Sequence, residues 1–235
     1  GASLPAERQN EFFHRYMLGV YDLYSRLTER FPDVLFESCA GGGGRNDPGM
    51  LAFAPQAWIS DDTDAVERQK IQYGTSLVYP LVSMGAHVSA VPNHQVGRVT
   101  PLETRAAVAF FGNLGYELDP RSLDEPEAAQ VRDQIAWYKE RRELLHGGRF
   151  HRLVSPFEGD GNETAWMVVD DDAAHALVGW YRTLSRPLPG PSLLRLRGLD
   201  PDARYEVSVW PESDDWVASR NALERGGDEL MRQGL

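Results

Sequence analysis

Three aspartates crowd the segment Ser60-Asp61-Asp62-Thr63-Asp64, directly behind the short apolar run Ala57-Trp58-Ile59. Carboxylates in such a place have two uses. They can cap a helix, accepting its free N–H groups and complementing its dipole, or they can carry a proton in a reaction. Asp64 with Glu67 suffices for the cap. That leaves Asp61, at the end of an expected strand, free to act as a general acid or base. A carboxylic acid that donates near neutral pH needs a raised pKa, whereas a helix N-terminus lowers it. A second carboxylate a few ångströms away would oppose the dipole.

The second segment with chemical capacity is Ser38-Cys39-Ala40-Gly41-Gly42-Gly43-Gly44-Arg45-Asn46-Asp47. Its glycines would let a ligand approach the backbone, or simply form a turn. It is not a dinucleotide fingerprint, because Asn46 stands where the last glycine belongs, and it lacks the Gly-Lys-Ser/Thr of a phosphate loop. Cys39 alone reads as a small buried hydrophobe rather than a ligand or nucleophile. His87 and His94 invite a metal reading, but no His-x-x-x-His or Glu-x-x-His pair supports it, so both are expected to be structural and no metal or other cofactor is expected. Lys70 and Lys139 are the only lysines, and both fit helix surfaces rather than Schiff-base chemistry. Asn162-Glu163-Thr164 matches a glycosylation acceptor and is read as a turn.

These residues need elements to hold them. Apolar Phe13, Met17, Val20, Tyr24, Leu27 and Phe31 recur at helical spacing between Pro5 and Phe31. Short buried-type runs follow at Val34–Glu37, Ala57–Ser60, Gly85–Ala90 and Val108–Phe111, each read as a strand. Helices are expected from Asp62 to about Tyr73, from Pro101, and from Pro126 to His146-Gly147-Gly148. Beyond Gly148 the pattern becomes strands in quick succession: Phe150–Val154, Ala165–Asp170, Ala176–Tyr181, Leu193–Leu196 and Tyr205–Trp210. The expected architecture is α/β. Residues 1–147 would form four βα-type units, half of a (β/α)8 barrel, and residues 148–235 an antiparallel β domain.

The 235 residues carry 24 basic and 35 acidic side chains, a net charge of -11, which disfavours nucleic acid as a partner. No apolar run is long enough to cross a bilayer, so no membrane partner is expected. A single cysteine and the lack of a signal-peptide pattern point to a reducing cytoplasm.

Several longer motifs together resemble the microbial α-galactosidases of glycoside hydrolase family 36, the melibiases. They are Phe36-Glu37-Ser38-Cys39 with Gly41–Gly44, Arg45 and Asp47; Asp47–Leu51; Pro55-Gln56 and Trp58; Ser60–Ala65 through Lys70–Thr75; Met84–Ser89; Pro92–Gln95; Gly112–Leu118; and Gly227–Met231. The resemblance implies a retaining glycosidase on a (β/α)8 barrel followed by a β-sandwich, acting on terminal α-linked galactose of the melibiose and raffinose type. It assigns Asp61 as proton donor and Cys39 and Gly42 to the galactose pocket. The family nucleophile lies in a Lys-Trp-Asp motif that does not occur here, and the C-terminus looks cut shortly after Met231. Because a retaining mechanism needs two carboxyls about 5 Å apart, the isolated chain is expected to be inactive. Alternatives are a non-catalytic or sugar-binding module, an α-N-acetylgalactosaminidase, or a galactosyl-transferring relative. Family serine and aromatic residues are replaced by Ala40 and Asn46, and a tyrosine pair by Ala52-Phe53. The open edges of half a barrel lead to the expectation of a homo-oligomer.

Overall fold

The computed structural model describes residues 4–188, 192–211 and 223–235. The chain forms two compact units, Gly1–Asp61 with Ser83–Gly85, and Asp62–Val82 with Ala86–Leu235.

In the first unit a 3-10 turn, Ala6–Glu11, leads into α1 (Phe12–Arg30). β1 (Glu37–Ser38), α2 (Pro48–Leu51) and β2 (Gln56–Trp58) follow. β1 and β2 pair in parallel, Glu37 with Gln56 and Ser38 with Ala57. β2 then pairs in parallel with the start of β3 (Met84–Ser89), Ala57 with Met84 and Trp58 with Gly85. The expected strand Val34–Glu37 is therefore corrected: only Glu37 joins a ladder, and Val34 and Leu35 are exposed. The register explains this, since Phe36 would face Pro55, which has no N–H to give. The expected strand Ala57–Ser60 likewise stops at Trp58. The helix α1 forms as its periodicity predicts, but Val20 is its only buried residue and Phe13 is 75% exposed.

The second unit begins with α3 (Ala65–Ser76) and the rest of β3, then α4 (Leu102–Ala109), β4 (Asn113–Glu117) and α5 (Glu125–Gly147). In sheet order β4 follows β3. The strand expected at Val108–Phe111 is instead the last turn and end of α4. All four residues are buried, and a short, wholly apolar run cannot distinguish a core strand from a buried helix end. The fourth strand is the more polar Asn113–Glu117. α5 is signalled well in the sequence, with Asp124 and Glu127 forming a reciprocal capping box and Pro126 in its first turn.

Three antiparallel strands follow, β5 (Arg149–Val154), β6 (Glu163–Val169) and β7 (Ala176–Arg182), with β6 central. β8 (Arg204–Val207) pairs with β9 (Leu223–Gly226), and α6 (Gly227–Arg232) closes the chain. The expected strand Tyr205–Trp210 is thus shorter. The segment Leu193–Leu196 bonds the C-terminal segment instead of a strand: Leu194 N–H donates to Leu235 O (3.3 Å) and Leu196 N–H to Leu230 O (3.1 Å).

β6 is buried on both faces. Ala165, Met167 and Val169 pack with Leu194, Leu196, Leu199 and Leu230. On the other face the Trp166 ring centroid lies 5.7 Å from Phe111, 6.3 Å from Phe150 and 5.2 Å from Tyr181. The Tyr181 hydroxyl donates to Ala107 O at 2.8 Å, tying β7 to α4, and burial raises its pKa strongly. Gly148 follows α5 at a negative φ of −74°. Glycine is needed there for space, because a Cβ would lie 2.5 Å from Val168 Cγ1.

A polar cluster joins α5 to the start of β4. The Tyr138 hydroxyl donates to Gly112 O (2.7 Å) and lies 2.8 Å from His146 Nε2. Burial lowers the His146 pKa; His151 is lowered by burial and then by Arg149 and Arg197. Below the ordinary histidine value of about 6.5 the unfolded chain takes up these protons before the folded one does. Their stabilising contribution is full above that pH and is lost as pH falls through it toward the depressed folded values. The melting midpoint is expected to drop from pH 7.5 to 5, less steeply in His146→Gln. A slope unchanged by the substitution would remove His146 from the account.

Candidate active site

The candidate residues Cys39, Gly42 and Asp61 all belong to the first unit. After β1 the chain turns back on itself. Ala40 N–H donates to Gly42 O (3.1 Å), Asn46 N–H donates to Gly43 O (3.0 Å), and Ala40 and Gly43 form an isolated bridge. Gly42 is buried, has φ +74°, and lies directly against the chain leaving β2. A Cβ there would sit 2.7 Å from Ser60 Cα and 3.0 Å from Asp61 N. Only glycine tolerates both the left-handed backbone and this approach. The glycine loop and the candidate proton donor are thereby brought together. Cys39 is an exposed free thiol, which corrects the reading of it as a buried hydrophobe.

The loop has supports whose bearing on the site shows only in the fold. Arg45 donates through Nη1 to the Tyr16 hydroxyl and through Nη2 to Cys39 O, both at 2.7 Å. Asp47 caps α2 by accepting from Met50 N–H (2.9 Å) and also accepts from the Tyr21 hydroxyl (2.8 Å). That hydrogen bond raises the Tyr21 pKa. The available signal was two tyrosines five residues apart on a helix, facing an arginine and an aspartate two apart.

The acidic cluster divides by role. Asp64 is the N-cap of α3, accepting from Val66 N–H and Glu67 N–H at 3.1 Å each, and is ion-paired with Arg98. Asp62 Oδ1 accepts from Asp64 N–H at 3.0 Å. Asp61 is exposed. His87 Nδ1 lies 3.4 Å from Glu117 Oε2 and its ring packs on Gly115. His94 is exposed. Among the described residues no group of three or more His, Cys, Asp or Glu side chains could hold a metal ion, and no helix is long and apolar enough to cross a membrane.

The protein-family model described as Melibiase matches residues 1–148. This chain belongs to the melibiase family. The model of the glycosyl hydrolase family 36 C-terminal domain matches residues 163–235 of this melibiase-family chain. The chain is 54% identical to α-galactosidase AgaA of Geobacillus stearothermophilus over 234 residues, 100% of the chain and 30% of the relative. It is 47% identical to α-galactosidase Mel36A of Lactobacillus acidophilus, again over 100% of the chain and 30% of the relative. The crystal structure of family GH36 α-galactosidase AgaB from G. stearothermophilus superposes with a TM-score of 0.88 at 54% identity, covering 99% of this chain and 30% of that one. An AgaA variant solved in complex with raffinose gives the same TM-score at 53% identity, with the same coverage. The melibiase-family chain thus spans about 30% of the length of these relatives.

Proposed function

We propose that the chain is part of a retaining α-galactosidase that releases terminal α-linked galactose from oligosaccharides of the melibiose and raffinose type. The observation that carries this reading is the packing of Gly42 against Ser60 and Asp61, which sets a glycine-lined sugar loop beside an exposed carboxylate. Asp61 acts as proton donor to the leaving group and then as base toward water, and Cys39 and Gly42 line the galactose pocket. The nucleophilic carboxylate comes from outside these 235 residues, so the isolated chain does not turn over substrate. The raffinose complex of an AgaA variant supports the substrate class.

In architecture, residues 1–147 form the second half of a (β/α)8 barrel and residues 148–235 a β-sandwich. The parallel pairing of β1, β2 and β3, the antiparallel sheets and the reach of the two family models support this. The reading includes a cytoplasmic location, which suits an exposed free thiol. It also includes a homo-oligomer, consistent with exposed Phe13, Leu18 and Leu23 on α1. Light scattering on the protein carrying this chain should give a multiple of the protomer mass; a single protomer mass would exclude oligomerisation.

Gly42→Ala tests the pocket. Its methyl group would meet backbone, not a yielding side chain, so the loop must move. Galactose affinity measured by calorimetry on the protein carrying this chain should fall about tenfold or more, the scale of about 1.4 kcal/mol. Unchanged affinity would remove Gly42 from the pocket.

A further inference from the structure

Arg45 is placed to act on the sugar loop without lining it. It follows the glycine run, and its two terminal nitrogens hold separate partners, one the Tyr16 hydroxyl on α1 and one the Cys39 carbonyl at the start of the loop, each at 2.7 Å. One rigid, planar fork therefore ties a helix to the peptide that carries the thiol. The loop needs such a tie. Gly41 and Gly42 both adopt left-handed backbone, and glycine has the most conformational freedom to lose on ordering. Within the loop, the Ala40-to-Gly42 and Asn46-to-Gly43 backbone bonds are short-range and leave its placement against α1 to side chains. At its far end the Tyr21 hydroxyl fixes Asp47 from the same helix.

We propose that Arg45, anchored by Tyr16, is a positioning residue that holds the Cys39–Gly42 loop in its ligand-binding shape, so that the order of this loop sets affinity for the sugar. The role rests on the galactose-pocket reading above. A loop that contacts the sugar alike in ground state and transition state contributes uniform binding, and loosening it raises KM while kcat stays nearly constant.

The test uses the protein carrying this chain, with Arg45→Gln, Arg45→Lys, Tyr16→Phe and the double variant Tyr16→Phe/Arg45→Gln. Arg45→Gln is expected to raise KM for nitrophenyl-α-galactoside about tenfold with kcat within about twofold. Arg45→Lys should recover little, because one ammonium cannot span both oxygens. Tyr16→Phe should have a smaller effect, and the double variant should match Arg45→Gln alone, the signature of one shared interaction. Alkylation of Cys39, the only cysteine in these 235 residues, followed on its own peptide, reads loop order without any substrate: iodoacetamide should react several-fold faster there in Arg45→Gln than in the parent. If the parent hydrolyses no α-galactoside, the functional reading fails while the alkylation rates still decide the positioning role. Unchanged KM with unchanged alkylation in Arg45→Gln would overturn the proposal. So would a fall in kcat matching a loss of folded protein at constant KM.

Discussion

Asp61→Asn, made in the protein carrying this chain, is expected to lower kcat for raffinose by about 10²–10⁴, the usual reach of a single general acid–base group. Asparagine keeps the shape of the side chain but cannot give up a proton. The loss should depend on the leaving group. A sugar alkoxide needs protonation as its bond to galactose breaks, whereas an activated aryl galactoside leaves with little help, so its bond-breaking step should be almost unaffected. The fold should tolerate the change, because Asp61 is exposed and the capping work belongs to its neighbours: Asp64 holds two N–H groups of α3 and Asp62 holds the turn. Values of kcat/KM on both substrate types, which report the steps through bond breaking and not the later attack of water, make the test, with melting midpoints alongside. Equal losses on both would count against the acid role.

Trp166→Ala should cost about 3–5 kcal/mol, the range for emptying a large aromatic site in a core. Trp166 is 1% exposed and stands between Phe111 at the end of α4, Phe150 on β5 and Tyr181 on β7. Removing the indole leaves a void that three rings cannot fill while Tyr181 stays bonded to Ala107 O. Trp166→Phe should lose less. Denaturant titration measures both, and a loss under about 1 kcal/mol for the alanine variant would show that the site collapses at little cost.

Much of this was legible from local chemistry. The Asp124, Pro126 and Glu127 signals mark the start of α5, and Asp64 with Glu67 marks α3, because capping depends on residues within one turn. The sequence also put Asp61 forward as a candidate, because Asp64 with Glu67 sufficed for the cap; that Asp62 holds the turn shows only in the fold. Features that depend on distant partners were not legible. Val108–Phe111 looks like a strand because its apolar side chains are buried all round, which nearby residues do not reveal. The run from Val34 does not extend the ladder because Phe36, next to the paired Glu37, stands opposite Pro55, a fact of register. Arg45 was visible only as part of a motif; its role depends on Tyr16, 29 positions away.

The junction at Gly148 also bears on how such enzymes could exchange parts. The sequence changes texture there, yet Gly148 lies against Val168 and Trp166 of β6 reaches back to Phe111. A recombination event at that point would transplant strands without the helix end they evolved to cover, leaving cavities or clashes in both offspring. Viable crossovers should therefore inherit residues 102–182 as one block, and lineages should keep glycine at 148 while Phe111 and Trp166 change together.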